Sequence, residues 1–273
     1  MNIKSKFLIY FLAIIIVLIS VFPIVWLVMT SFKTRVEIFS IPPIWFPKIS
    51  FENYIAEFSG GSSRLPFLFN SLKVAFFSTL ITIIIGSLAA FGMARFPVPG
   101  KRNLEFWILS IRMMPPVAVI IPLYLIMRSL KLLDTNIGLI IVYVSFNLPF
   151  VIWILAGFLR GIPKDIEEAA LIDGCNWFQS LVRISLPLSA PGLATVSIFS
   201  FMFSWNELLA ALVLTGRNAK TLPVAISEYW STTQIRWEAM AATSVIHIIP
   251  IIIVTFLIQR YIVRGLTMGA IKE

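Results

Sequence analysis

One histidine, His247, and one cysteine, Cys175, limit the chemistry open to this sequence. A zinc centre needs several such ligands at set spacings, so HExxH and cysteine-rich sites are excluded, as is an internal disulfide. A Ser-His-Asp triad has only His247 to draw on, and no G-x-S-x-G elbow accompanies it. His247, lacking a second ligand, reads as a buried structural histidine, and Cys175 as a small helix-turn residue. The one Gly-Lys pair, Gly100-Lys101, is followed by Arg102 and has Arg95 where a P-loop needs its first glycine, so the chain has no P-loop for ATP. What remains is charge in apolar surroundings. Arg112 lies in an apolar segment ahead of Met113-Met114-Pro115-Pro116, and Asn206-Glu207 closes another. Ionisable groups are costly in lipid and face a cavity or a partner. Arg112 is therefore read as lining a path or flanking a hinge at the prolines; the alternatives are pairing with a partner subunit or snorkelling to an outer end. Asn206 and Glu207 either line a path or mark a helix boundary.

These residues are carried by an integral membrane chain. Of 273 residues, 59% are hydrophobic and 13% charged, where a soluble domain has about 25% charged; the mean hydropathy is +0.93. A bilayer core of about 30 Å takes about 20 apolar residues as helix. Segments 7–32, 74–94, 135–159, 184–206 and 239–259 contain no Asp, Glu, Lys or Arg, and 104–127 has only Glu105 and Arg112. The expectation is an all-α membrane protein with six transmembrane helices, at about 7–31, 69–94, 104–128, 136–159, 188–214 and 240–262, in a single domain over 1–273. The basic flank Lys4 and Lys6 before the first run imitates a signal peptide, but the run is long and no A-x-A-like site follows, so it reads as an uncleaved helix. The formal charge of +9 is dispersed, with no basic run beyond two residues, which fits membrane flanks and anionic headgroups rather than nucleic acid. Lys and Arg divide almost evenly between the two sides; their density in the shorter segments favours cytoplasmic termini.

The gap at about 160–187 carries the functional signal. Pro163 suits a first helical position. Asp165, Glu167 and Glu168 sit in the opening turns, where the helix dipole favours acids. Gly174 is a natural C-cap, and Asn176 can cap a second short helix whose apolar residues Trp177, Leu181 and Ile184 share a face. Pro187 ends the pattern. Two short helices thus meet at a glycine turn. Ala169 and Ala170 offer a smooth surface flanked by Ile166 and Leu171, suited either to a groove on another protein or to the bilayer surface. Gly157-x3-Gly161 matches a small-residue packing pattern.

Glu168-Ala169-Ala170, Gly174, Ile184 and Leu186-Pro187 together match E-A-A-x3-G-x9-I-x-L-P, extended by Asp173 and Pro191. This pattern resembles that of the permease subunits of bacterial ABC importers. Asn70-Ser71, Ala94-Arg95-Phe96 with Gly100-Lys101, Trp205-Asn206-Glu207 and the tail Gly265-Leu266-Thr267, Gly269, Ala270 and Lys272 are similar to the carbohydrate-importer, MalG-like branch. Cys175 departs from it, at a position where alanine is common. The resemblance covers nearly the whole chain.

The resemblance implies a type I ABC importer permease fold with a cytoplasmic coupling helix between helices 4 and 5. It implies no enzyme activity and no cofactor on this chain, with ATP and magnesium on a partner ATPase. The implied partners are a second permease subunit, two ATPase subunits, an extracytoplasmic solute-binding protein and membrane lipid, with no nucleic acid. The implied location is the bacterial cytoplasmic (inner) membrane, multi-pass with both termini cytoplasmic. The coupling residues would be Glu168, Ala169, Ala170, Asp173, Gly174, Ile184, Leu186 and Pro187, and the candidate path or gate Arg112, Asn206 and Glu207. The loop 215–242 would meet the binding protein through Pro223, Trp230 and Trp237. The cargo would be an oligosaccharide, disaccharide or polyol. An ion-coupled secondary transporter is the alternative, although Glu105, Glu207 and Arg112 make a sparse proton relay.

Overall fold

The computed structural model describes residues 3–61, 63–230 and 234–268. The tail residues Gly269, Ala270 and Lys272 lie outside the described residues. In chain order the elements are α1 (Ile3–Ser31), α2 (Arg35–Ile38), α3 (Glu52–Phe58), α4 (Leu65–Arg95), α5 (Lys101–Met113), α6 (Pro116–Ser129) and α7 (Asn136–Arg160). They continue as α8 (Lys164–Ile172), α9 (Trp177–Ser180), a π-helical turn (Leu181–Ser185), α10 (Leu186–Leu188), α11 (Ala190–Trp205), α12 (Leu209–Leu214), α13 (Leu222–Ser227) and α14 (Trp237–Met268). Among the described residues there is no strand; one isolated bridge joins Trp230 and Ile235.

Helices α1, α4, α7 and α14 contain spans long and apolar enough to cross a bilayer, and two bent pairs bring the number to six if each is one span. The first bend divides the helix expected over about 104–128, at the prolines read as a candidate hinge; the second falls at the break expected at Pro187, where the helix expected over about 188–214 begins. The third apolar segment turns by 93° between α5 and α6. Met114 is extended, with ψ of 129°, because the ring of Pro115 disfavours helical geometry in the residue before it. Pro116 then opens α6 at a position where its missing N–H is harmless. The fifth segment bends by 83° between residues 177–188 and α11. That segment ends at Trp205 rather than running on to 214. The carboxylate of Glu207 accepts from Ala210 N (2.8 Å) and Ala211 N (3.1 Å), so it satisfies the orphan donors of a new helix, α12.

The described residues within 1–66 and 225–250 form one compact unit, and those within 67–224 and 251–268 a second. In the first, a buried carboxylate organises the polar segments. Glu57 is ion-paired to Arg236 at 2.6 Å and to Arg64 at 3.5 Å, and accepts from the Tyr229 hydroxyl. Burial, and then the bond to Glu57, push the Tyr229 hydroxyl up to about 12. A carboxylate as deep as that of Glu57 is tolerated because it is paired and hydrogen-bonded.

In the second unit α7 is the central helix. Leu139, Val142, Tyr143, Val151, Leu155 and Leu159 are all buried along it. Two glycines allow close approach to it: a Cβ at Gly86 would meet Val151 Cγ1 at 2.5 Å, and one at Gly192 would meet Phe158 Cδ2 at 2.6 Å. A Cβ at Gly157 would meet nothing within 4 Å, and Gly161 caps the C-terminus of α7, so the G-x3-G pair is not a packing seam within this chain.

Half-buried Asp134 holds the loop after α12. Its carboxylate accepts from the backbone N–H groups of Gly216, Arg217, Asn218 and Ala219 at 2.8–3.1 Å, and from the Asn218 side chain at 2.9 Å. Burial acts to raise the carboxyl's pKa, but these amides, Ala219 first, outweigh it and hold the group below its usual value. Because the folded pKa is depressed, the carboxylate stabilises the fold fully above about pH 4 and loses that contribution as pH falls towards the folded value. Asp134→Ala is expected to lower the melting temperature by roughly 2–4 °C at neutral pH. Melting curves taken against pH check this: the gap to wild type should stay constant from pH 8 to 5 and narrow below about pH 4.

Candidate functional site

The segment after α7 is built as its composition requires. Pro163 occupies the N-cap of α8, and Asp165 and Glu167 lie in the first turn. The helix closes in a Schellman arrangement: Cys175 N bonds Ala170 O at 3.0 Å and Gly174 N bonds Leu171 O at 3.1 Å. This places Gly174 at φ +91°, a conformation in which side chains are strained. A reciprocal capping box follows, with Gln179 N bonding Asn176 Oδ1 at 2.8 Å and Asn176 N bonding Gln179 Oε1 at 2.9 Å. Trp177 then packs edge-on against Phe96, 5.1 Å between ring centroids, near the end of α4.

One ion pair fixes the whole segment. Arg95, the last residue of α4, forms a bidentate pair with Glu167 of α8; their side chains are 3% and 1% exposed. The same guanidinium donates to Leu159 O at 2.7 Å and Ile162 O at 3.1 Å, at the end of α7. Ser185 Oγ, in the π-helical turn, donates to Glu167 at 2.6 Å. The orientation of α8 is thus tied to α4, α7 and the approach to α11. At the same end of the unit, Arg160 of α7 pairs with Glu105 of α5.

With Glu167 turned inward, the helical period decides what faces out. Ala170, three residues on, shares the inward face and is buried, so it does not form an exposed surface with Ala169. Glu168, Ala169, Ile172 (86% exposed) and Asp173 point outward. The side chain of Glu168 makes no hydrogen bond or ion pair with any described residue. Ile184 and Leu186 are half-buried and Pro187 exposed. Among the trio expected on one face, Leu181 is buried, while Trp177 remains partly exposed and Ile184 half-buried.

Elsewhere in the second unit the two breaks in helices line one cavity of about 450 Å³. Arg112 and Pro116 reach it from the α5–α6 break, Asn206 and Glu207 from the end of α11, and Tyr143 and Asn147 from α7. The expected path residues Arg112, Asn206 and Glu207 are thereby brought together. The guanidinium of Arg112 lies over the ring of Phe203 at 4.4 Å and donates to Phe146 O at 3.1 Å. Tyr143 donates to Glu207 at 2.9 Å. Among the described residues no group of three His, Cys, Asp or Glu is placed to hold a metal.

Comparison with known proteins decides the family. The family described as binding-protein-dependent transport system inner membrane component matches residues 82–268. The chain belongs to this family. It is a multi-pass inner-membrane permease component, not an enzyme, and its fold is that of a type I ABC importer permease. The permease is 38% identical to the sulfoquinovosyl glycerol transport permease SmoH of Agrobacterium fabrum, over 93% of this chain and 89% of that one. It is 38% identical to the trehalose permease SugB of Mycobacterium tuberculosis, over 93% of both. It is 35% identical to the trehalose/maltose permease MalG of Thermococcus litoralis, over 95% and 94%. A chain of a bacterial alginate-importing ABC transporter superposes with TM-score 0.77 at 23% identity, over 96% of this permease and 98% of that chain, a likeness of fold.

The three expected binding-protein contacts are divided between the two units in the chain. Trp230 (68% exposed) and Trp237 meet edge-on at 6.4 Å in the first unit. Pro223 sits half-buried in the second. Sequence reasoning passed over the clasp of Arg95, Glu167 and Ser185, taking Glu167 for a helix-dipole acid. The available signal was its spacing of three from Ala170, which puts both on one face of α8.

Proposed function

We propose that this permease is a subunit of an ATP-driven, binding-protein-dependent importer of a carbohydrate, of the oligosaccharide, disaccharide or polyol class. The observation that carries the reading is α8: a short helix locked from behind by Arg95 and Glu167, with an unpaired carboxylate, Glu168, and an apolar residue, Ile172, presented outward. A rigid, outward-facing knob transmits force; a helix loosely laid on a bilayer does not. In this reading Glu168, Ala169, Asp173 and Gly174 form the docking surface and turn for an ATPase, and Ala170, Ile184, Leu186 and Pro187 hold its frame.

Two ATPase subunits carry ATP and magnesium, and a second permease completes the path. ATP-driven closure of the ATPase pair moves the docked helix, and the clasp passes that motion to α4 and α7, so that the permease alternates between two accessible states. With α8 in the cytoplasm and six spans, both termini are cytoplasmic. A solute-binding protein meets the opposite face, through the loop 215–242 with Pro223, Trp230 and Trp237 as its contacts. Relatives named for trehalose, maltose and diacetylchitobiose support a sugar as cargo.

The test is purification of the tagged chain from detergent extract, followed by reconstitution. An ATPase and a second permease should co-purify, and liposomes carrying the complex and the binding protein should take up sugar only with ATP inside the compartment facing α8. A chain that purifies alone and moves solute without ATP would refute the reading. Gly174 supplies a second check. Gly174→Val, strained at φ +91°, is expected to lose the ATPase on co-purification, and Gly174→Asn, which tolerates the left-handed region, to retain it.

A further inference from the structure

We infer that the loop after α2, residues 39–47, lies in the lipid of the leaflet at the C-terminal end of α1, so that the permease holds the bilayer with a proline-rich aromatic loop as well as with its spans. In the reading above this is the outer leaflet. The only premise is that α1 crosses the membrane.

The loop has the composition of a lipid contact. Residues 39–47 read Phe-Ser-Ile-Pro-Pro-Ile-Trp-Phe-Pro, without Asp, Glu, Lys or Arg, and charge resumes at Lys48. Folding does not hide these side chains: Ile41 is 96% and Phe46 87% exposed, and Phe39 and Trp45 are exposed as well. A contiguous apolar patch of this kind marks contact with protein or membrane. Protein interfaces carry about one hydrogen bond per 100–200 Å². Here the only polar side-chain groups are the Ser40 hydroxyl, which donates to Glu37 O at 2.9 Å, and the Trp45 indole N–H. A surface with so few polar handles suits acyl chains rather than a partner protein. The backbone is matched to lipid too. Pro42, Pro43 and Pro47 have no N–H, so three of the nine residues bring no donor that needs a partner.

The loop also lies where a lipid contact must lie. The chain does not run from α1 straight into water. It doubles back, and Trp45 packs edge-on against Trp26 at 5.3 Å between ring centroids, with Phe22 at 6.4 Å. Trp26 stands five residues before the end of α1 at Ser31, about 8 Å along the helix. From Phe7 to Ser31 that helix has no Asp, Glu, Lys or Arg, and its side chains from Phe7 to Val25 are largely exposed. Trp45 thus continues an apolar, membrane-crossing surface. Lys33 Nζ reaches the same level, 4.3 Å from the centroid of the Trp26 ring. Tryptophans with a cation among them belong to the membrane–water boundary, where an indole has one end apolar and the other wet. Interfacial segments enter that boundary by about 5–10 Å, which agrees with the level of Trp26. At that depth water and headgroups still reach the N–H and C=O groups that remain.

The experiment uses the complete importer in liposomes. In a Cys175→Ser chain, Ile41→Cys, Phe46→Cys and Glu52→Cys are each labelled with a nitrobenzoxadiazole fluorophore. Glu52, exposed at the start of α3, is the aqueous reference. All three side chains are exposed, so the labels displace no core contact. The quenchers are phosphatidylcholine brominated on the upper acyl chain and iodide in the water. Brominated lipid should remove about half of the emission at 41 and 46 and about twofold less or lower at 52, with iodide acting in the opposite order. Lipid quenching at 41 and 46 no greater than at 52 would overturn the inference. Iodide then identifies what replaces lipid: strong quenching puts the loop in water, and protection from both quenchers puts it beneath another subunit.

Discussion

Arg95→Ala is expected to lower the melting temperature of the purified permease complex by roughly 10 °C and to abolish ATP-driven uptake. Glu167 would be left buried without its counter-charge, and removing one member of a buried pair costs about 3–5 kcal/mol. For a chain of this size each kcal/mol moves the melting temperature by roughly 2–4 °C. The loss extends further than the pair, because the same guanidinium holds Leu159 O and Ile162 O, which would also lose their donor. Arg95→Met combined with Glu167→Leu separates stability from function. It removes both charges, so much of the lost stability should return. Uptake should stay low, because α8 would no longer be fixed in direction by a bidentate pair. Melting curves and uptake on the three proteins check this. A wild-type melting temperature for Arg95→Ala would mean that the clasp contributes nothing, and full uptake by the double variant would mean that it transmits nothing.

Glu168→Lys is expected to reduce uptake at least tenfold while leaving the chain folded and at its normal level in the membrane. Glu167 and Glu168 are adjacent and chemically alike, yet α8 buries one and exposes the other. Glu168 has no partner within the described chain, so reversing its charge disturbs no internal contact, and exposed substitutions of this kind usually change stability by no more than about 0.5 kcal/mol. Its loss is felt at the docking surface. A charge-assisted hydrogen bond is worth about 1.5–3 kcal/mol, and each 1.4 kcal/mol is tenfold in a binding constant. ATP hydrolysis by the assembled complex should then continue without stimulation by the loaded binding protein. Uptake at the wild-type rate would remove Glu168 from the docking surface and leave it as a helix-dipole acid.

The sequence made the apolar spans and the coupling segment legible because both are written in local terms. Charge-free runs of bilayer length, a glycine where α8 must turn left-handed and an asparagine three residues before Gln179 each specify backbone geometry within a few positions. The bends were less legible. Prolines at 115 and 116 announce a break, but its angle of 93° depends on packing. The end of α11 at Trp205 carried no proline at all; it follows from Glu207 capping α12, a competition between two helical geometries that hydropathy does not register. Least legible was the clasp. Arg95 and Glu167 stand 72 positions apart, and nothing local to either says that they meet. Asp134 and the loop from Gly216 to Ala219 are the same case. The cavity was half visible: Arg112, Asn206 and Glu207 stood out as polar groups in apolar surroundings, whereas Tyr143 and Asn147 are ordinary residues until α7 places them opposite.

The central claim is that α8 docks in an ATPase rather than lying on the bilayer. Cys175 is the only cysteine, so a Cys175→Ser chain carrying Ala169→Cys offers one exposed thiol at the centre of the outward face. Labelled with a thiol-directed benzophenone and irradiated in native membranes, it should give an adduct of the combined mass of permease and ATPase, with and without ATP. Adducts confined to lipid, in membranes where the complex is assembled, would contradict the account.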